Sequence, residues 1–322
     1  MITRRRLLAS TAALIAAPAL AQTRDIAAMA DPFTDRLHTL IVRRGGEEMF
    51  AQSWGGRGAD GIANVKSVSK SLMALLTGIA IDRGVLDGPD AALLPLLGRA
   101  PTGDARDAIT LDHLLSMRTG LESVSGPNYG AWVSSRNWVT TALERDIVAA
   151  PGGRFIYSTG GWHLLGAALT RETGDSLLSL ARTWIGRPMG LDFAPWVRDP
   201  QGRYLGGNDM ALSPRDLSRI GQMVLDGGVW QGEQIVSQDW IETSWMPRGR
   251  SPFSGDQYGF GWFLSDIAGT PVAYGRGYGG QMLMIAPERD TVITITSDPT
   301  RPARSRGYFG DLRGLAAEIL RL

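Results

Sequence analysis

The chain contains no cysteine, which excludes a disulfide framework, a thiol nucleophile and a thiolate metal site, and leaves the redox compartment open. Histidine is almost as scarce. His38, His113 and His163 lie far apart and form no H-E-x-x-H or similar spacing, so a zinc centre is not expected. Lysine is the third scarcity: of 33 basic residues only Lys66 and Lys70 are lysine, and the rest are arginine. With 32 acidic residues opposing the 33 basic ones, there is no electrostatic footprint for nucleic acid or an anionic membrane. Small molecules are the expected partners. Low-complexity tracts, internal repeats and coiled-coil heptads are absent as well. What is there is a globular chain of 322 residues, 43% hydrophobic. That length allows two domains, yet no linker separates independent ones, and a single interleaved unit over residues 22–322 is expected.

The longest apolar stretch is at the start. Arg4, Arg5 and Arg6 precede an apolar run through Leu20, and Ala19-Leu20-Ala21 supplies the small-residue pattern of a cleavage point before Gln22. Residues 1–21 read as a signal peptide of twin-arginine type, which implies export, in all expectation to a periplasm, with no stable membrane insertion after its removal.

Behind it, Leu37 to Val42 and Glu47 to Trp54 alternate around Arg44-Gly45-Gly46, the pattern of a β-hairpin. Residues 68–83 carry Leu72, Leu75, Leu76, Ile79 and Ala80 at helical spacing and stop at Gly84, so a core-facing helix begins just after Ser67. From about residue 100 to 250, short helical patterns broken by Pro and Gly predict helices over 111–117, 137–149, 162–172, 176–184 and 214–225. Strands return over 259–264, 281–286 and 291–297, and a helical stretch ends in Ala316, Ile319 and Leu320. The expected fold class is α+β: a sheet closed from both chain ends (residues 22–95 and 255–322) with an all-helical lobe over about 96–254.

Ser67-Val68-Ser69-Lys70 is an S-x-x-K motif. A helix sets residues three apart on one face, so the hydroxyl and the amine can meet. Serine is a weak nucleophile until a neighbour takes its proton, and a buried lysine of lowered pKa can do that at neutral pH, whereas arginine cannot. In a chain that otherwise uses arginine, both lysines flank Ser67. Lys66 reads as a surface cation or one supporting the site from outside.

Residues 151–166 form a Pro-Gly-Gly turn that presents Tyr157 just before an apolar helix. Together with the S-x-x-K motif, this resembles the superfamily of class C β-lactamases, D-alanyl-D-alanine carboxypeptidases and 6-aminohexanoate-dimer hydrolases, from about residue 35 to the C-terminus. Segments 109–121 and 208–217 look like family segments around the helical lobe, neither with an assigned chemical role. The resemblance implies a β-lactamase/transpeptidase-like fold and a serine hydrolase with Ser67 as nucleophile, Lys70 as its proton partner and Tyr157 as general base and acid, its phenol acidified by Lys70. No metal or organic cofactor is required. The family's Tyr-x-Asn ends here in Thr159, a contact to Lys70 or a substrate amide. Its Lys-Thr-Gly or His-x-Gly strand motif is replaced by Tyr278-Gly279-Gly280, whose glycines would let substrate approach the strand. By the same resemblance the backbone N–H groups of Ser67 and Gln281 form the oxyanion hole, and Tyr129 and Trp132, with Trp138, wall an acyl pocket, though aromatic packing within the lobe fits them equally.

Tyr278 in place of the family lysine removes a cation from the site and disfavours strong β-lactam hydrolysis. Arg276 faces the same way along the strand as Tyr278, but reads as an exposed, salt-bridged arginine. The sequence therefore favours small esters or amides as substrates, with a D,D-peptidase or weak β-lactamase, and a catalytically silent binding protein, as the competing readings.

Overall fold

The computed structural model describes residues 23–322, and the signal sequence expected over 1–21 lies outside them. Two chain ends build one antiparallel sheet. Strands β1 (Leu37–Arg44) and β2 (Glu47–Ser53) form the first hairpin, turning through Gly45 and Gly46 at φ +58° and +78°. The other strands are β3 (Gly249–Arg250), β4 (Gln257–Tyr258), β5 (Phe263–Ile267), β6 (Thr270–Gly277), β7 (Gln281–Ala286) and β8 (Thr291–Ser297). The order across the sheet is β2-β1-β8-β7-β6-β5-β4-β3. β1 lies against β8, with Leu40 opposite Ile295 and Val42 opposite Ile293. β7 and β8 are buried along their whole length, as strands covered on both faces must be.

Helices cover the two faces. Helix α1 (Ser69–Asp82) is buried around its full circumference from Ser69 to Ala80, which is why apolar residues occupy more than one stripe of it. It ends where Gly84 takes φ +67° and the Val85 N–H returns to the Ala80 carbonyl at 2.8 Å. Helix α2 (Thr159–Thr173) stands beside α1, and α3 (Pro214–Leu225), capped by Ser213, lies over β7 and β8 with Gly221 against Leu283 and Val292. Gly275 of β6 faces Ser71 of α1, and because Gly275 pairs with Leu283, α1 and α3 share one face. Tyr274, one residue away and so on the opposite face, packs on Phe309 of α4 (Tyr308–Arg321).

Four expectations change. The stretch 96–254 is not all-helical: residues 211–212 pair with 63–64, residues 229–230 pair with 233–234, and β3 joins the main sheet. The helix expected over 137–149 is only Trp138–Leu143, since the Val148 N–H is claimed by the Gly120 carbonyl and Ile147 bridges to Leu121. Strand β6, of which the sequence suggested only the end near Arg276, occupies the middle of the sheet, and the strand expected over 259–264 begins only at Phe263. Among the described residues no helix is long and apolar enough to cross a membrane.

Gly78 shows how closely α1 is packed. A Cβ there would overlap the Trp240 ring, whose Nε1 donates to the Ala74 carbonyl at 2.9 Å. Gly78→Ala is expected to destabilise the protein by about 1–3 kcal/mol through overpacking, read as a lower urea midpoint with unchanged slope.

Candidate active site

Ser67 sits in a single 3₁₀ turn, Lys66–Val68, that feeds directly into α1. The residue before it, Lys66, holds φ +49°, a left-handed conformation that a non-glycine residue adopts only when neighbours enforce it, at a cost of about 1–3 kcal/mol. Here the enforcement is polar. The Lys66 N–H donates to Asn64 Oδ1 at 2.9 Å and its Nζ pairs with Asp209 at 2.9 Å, while Asn64 donates to the same Asp209 oxygen at 2.7 Å. Lys66 is thus an ion-paired wall of the site rather than a solvated cation.

One helical turn on, Lys70 Nζ donates to Ser67 Oγ at 2.9 Å, to Thr159 Oγ1 at 3.4 Å and to the Gly207 carbonyl at 2.5 Å. Three acceptors satisfy the three protons of an ammonium. The residue is only 2% exposed, and burial pulls its pKa below the usual lysine value; Tyr157, and more weakly Asp209, oppose that shift without cancelling it. The Ser67 hydroxyl in turn donates to Asn208 Oδ1 at 3.2 Å.

Tyr157 comes from the segment leading into α2. The Ile156 N–H is bound to the Met117 carbonyl at 2.7 Å and Ser123 Oγ donates to the Tyr157 carbonyl at 2.6 Å, so the backbone on both sides of the phenol is fixed. Its ring centroid is 4.9 Å from Lys70 Nζ. Thr159 links Lys70 to Ser125, whose Oγ donates to Thr159 Oγ1 at 3.0 Å and accepts the Thr159 N–H at 2.8 Å. Ser67, Tyr157 and Thr159 border a cleft of about 580 Å³, together with Lys66, Ser125, Tyr129, Asn208, Asp209, Phe253 and the strand end Arg276-Gly277-Tyr278.

That strand end runs close to the nucleophile because it carries glycine. A Cβ on Gly277 would lie 2.7 Å from the Val65 carbonyl oxygen and 2.8 Å from Lys66 Cβ. Tyr278, 53% exposed, and Phe253, 70% exposed, both line the cleft.

Several expected residues lie elsewhere. Gln281 is 1% exposed, and its side chain is spent on the Ser297 backbone, donating to its carbonyl at 2.8 Å and accepting its N–H at 3.1 Å. It does not border the cleft, because the turn at residues 278–280 carries the chain away before β7 begins. Gly279 and Gly280, at φ +85° and +101°, are required by that turn and by close approach to the Asp298 carbonyl and the Tyr308 ring, not by substrate access. Trp132 is 1% exposed, with its Nε1 bound to the Trp138 carbonyl at 2.9 Å; it packs under Tyr129, 5.7 Å between ring centroids, and only Tyr129 reaches the cleft. Arg276 is neither exposed nor salt-bridged among the described residues: it donates to Ser305 Oγ at 3.0 Å and the Ala303 carbonyl at 3.2 Å, lies 3.7 Å over the Phe309 ring, and borders the cleft.

Reading the sequence missed Ser125, Gly207, Asn208 and Asp209 as site residues. Asn208 and Asp209 lie in a segment recognised without a chemical role, and no spacing rule connects them to Ser67 across 141 positions. No cluster of His, Cys, Asp and Glu suited to a metal exists among the described residues.

Residues 19–318 match the family described as Beta-lactamase. The 6-aminohexanoate-dimer hydrolase of Paenarthrobacter ureafaciens is 25% identical over 308 residues, spanning 87% of this chain and 77% of the relative. A Bacillus anthracis protein provisionally assigned as a 6-aminohexanoate-dimer hydrolase superposes with TM-score 0.77 at 18% identity, over 91% of this chain and 80% of that one. EstCE1, a hydrolase with promiscuous acyltransferase activity, gives TM-score 0.74 at 19% identity, over 94% of this chain and 99% of its own.

Proposed function

The chain belongs to the Beta-lactamase family, with the β-lactamase/transpeptidase-like fold and the standing of a serine hydrolase, and from that premise we propose that it cleaves small esters or amides through an acyl-enzyme on Ser67. The observation that carries the reading is the 2.9 Å contact between Ser67 Oγ and a buried amine at the edge of an open cleft. Once Lys70 has released one proton to solvent, its lone pair can accept the Ser67 hydroxyl proton while Oγ attacks the substrate carbonyl. The proton then passes by way of Lys70 and Tyr157 to the leaving oxygen or nitrogen, and water, activated by the same pair, releases the acid and restores Ser67. The negative charge that develops on the carbonyl oxygen needs two fixed donors. Among the described residues neither the Ser67 N–H nor the Tyr278 N–H has a backbone acceptor, and both residues border the cleft; in this reading Tyr278 takes the place expected of Gln281.

Burst kinetics test the proposal. Mixing the protein with an excess of p-nitrophenyl butyrate is expected to release one equivalent of nitrophenol rapidly, with a butyryl adduct on Ser67 found by peptide mass mapping. A linear time course and no adduct under acid quench would dismiss an acyl-enzyme.

One observation favours a second reading, a substrate with a carboxylate as in D,D-peptides or β-lactams. Arg276 brings to the cleft a positive charge that makes no ion pair among the described residues, the nearby Asp256 being paired with Arg313, and a guanidinium suits a carboxylate. Arg276→Ala is expected to raise KM for a carboxylate-bearing ester about 10- to 100-fold, the size of a charge-assisted hydrogen bond, and to leave the matching methyl ester within twofold. Equal effects on both esters would show that Arg276 serves only to pack against Phe309.

A further inference from the structure

Three consecutive residues, Gly207, Asn208 and Asp209, each engage one side chain of the nucleophile motif: Lys70 at 2.5 Å, Ser67 at 3.2 Å and Lys66 at 2.9 Å. The position of this one segment therefore sets the polar environment of the nucleophile and its base together. What holds the segment is a buried polar pair that the reaction itself does not use.

We propose that His163 is a positioning residue: its imidazole, bridging Asp199 and the Gly206 N–H, fixes the Gly207 carbonyl on the Lys70 amine. The inference rests on the reading of Lys70 as the proton acceptor. His163 lies on α2 one turn on from Thr159, does not border the cleft, and its side chain and that of Asp199 are fully buried. Nε2 is 3.2 Å from Asp199 Oδ2, and the Gly206 N–H donates to Nδ1 at 3.4 Å. A backbone N–H can only donate, so Nδ1 carries the lone pair and Nε2 carries the hydrogen given to Asp199. The ring is therefore a neutral imidazole in one tautomer, and a second proton would set two donors against each other.

The surroundings agree. Burial pulls the His163 pKa below the usual histidine value, against the opposing pull of Asp199. The charged groups facing the ring are Asp199 and Arg203, whose guanidinium is 3.4 Å from Asp199 Oδ2. From the preceding helices come only the rings of Trp132 and Trp138, edge-on at 5.8 and 5.5 Å. Asp199 is itself held, accepting the N–H groups of Gln201 and Arg203 at 2.9 and 2.8 Å, so the bridge runs from a rigid turn through the ring to Gly206. The next residues lie flush on α2: a Cβ on Gly207 would sit 2.6 Å from Trp162 Cβ, and one on Gly206 would overlap the Trp162 carbonyl. Packing keeps the segment down, but only the ring gives the Gly206 N–H an acceptor, and a buried amide left without one is costly.

The test pairs two variants with a measurement on the unaltered protein. His163→Leu keeps the bulk and removes both hydrogen bonds; His163→Asn retains an acceptor near the place of Nδ1. For folded His163→Leu, kcat for a p-nitrophenyl ester is expected to fall about tenfold with KM within twofold. The acid limb of its pH profile is expected to move down by about half a unit or more, because Lys70 loses an acceptor that supports its protonated form. His163→Asn is expected to recover most of the loss. Folded variants that both keep the parental kcat and limb would overturn the proposal. In the unaltered protein, 15N–1H correlation of the imidazole is expected to show the Nε2–H tautomer of His163 throughout pH 5 to 9, and titration within that range, or the Nδ1–H tautomer, would overturn it even if the variants failed to fold. Absence of any adduct on Ser67 in the unaltered protein would be a different failure, of the acyl-enzyme reading.

Discussion

Ser67→Ala is expected to abolish labelling by a fluorophosphonate and to lower ester kcat/KM by about 10⁴-fold, and Lys70→Arg to come within about tenfold of that loss. The alanine variant removes the attacking atom. The arginine variant is the more informative, since it retains a cation that can donate to Ser67, Thr159 and Gly207, the partners of Lys70, yet cannot give up a proton at any pH where the protein is folded. A purely electrostatic role for Lys70 would survive the exchange; proton acceptance would not. Burial adds a pH signature. Because the Lys70 pKa lies below the ordinary lysine value of 10.5, the neutral amine is populated at lower pH than on a free lysine. The base is the deprotonated form, so acylation by the parent protein rises with pH and levels off above that lowered pKa. Lys70→Arg should lose this limb together with the rate. Retention of a tenth of the parental kcat/KM with an unchanged limb would remove Lys70 from the proton path.

Gly277→Ala is expected to lower kcat about 100-fold while costing about 1–3 kcal/mol of stability. The added methyl would meet the Val65 carbonyl, Lys66 Cβ and, at 3.0 Å, Gln281 Cβ. Backbone and side-chain stems surround it, and none of these can swing away. Either β6 retreats, taking the Tyr278 N–H with it, or the turn bearing Ser67 retreats; a displacement near 1 Å in a reacting geometry is enough for a loss of that order. Chemical denaturation and single-turnover acylation, measured on the same preparation, separate the two effects. A variant as fast as the parent but less stable would mean that this strand end has no part in the chemistry.

The same residue explains where the sequence was hard to read. β7 and β8 were legible as Gln281–Ala286 and Thr291–Ser297 because they are buried throughout and read as unbroken apolar or alternating runs. β6, at the heart of the sheet and the edge of the site, carries Pro271, Gly275 and Gly277, residues that argue against a strand. The two glycines are there for clearance against Ser71 and the Ser67 turn, a requirement set by elements some two hundred positions away. At the entry to α1 the pairing of Ser67 with Lys70 needs only helical spacing and was legible; Tyr157 was visible as a phenol on a turn ahead of a helix. Asn208 and Gly207 reach the site through a fold-level meeting of distant segments, and Gly207 contributes a carbonyl that any residue possesses. Trp132 carried an aromatic signal that suits a pocket wall or a core equally, and here the core claims it. For Gln281, the three-residue turn places the end of one strand, not the start of the next, beside Ser67.

The seam between Leu37–Arg44 and Thr291–Ser297 also governs when the molecule can first act. Before Thr291–Ser297 is in place the nucleophile, the lysine and the tyrosine are all present in the chain, but the opening hairpin has no neighbour in the sheet. Pairings this remote form late and cooperatively. Hydrolytic competence should therefore arrive only once Thr291–Ser297 has taken its place between Leu37–Arg44 and Gln281–Ala286.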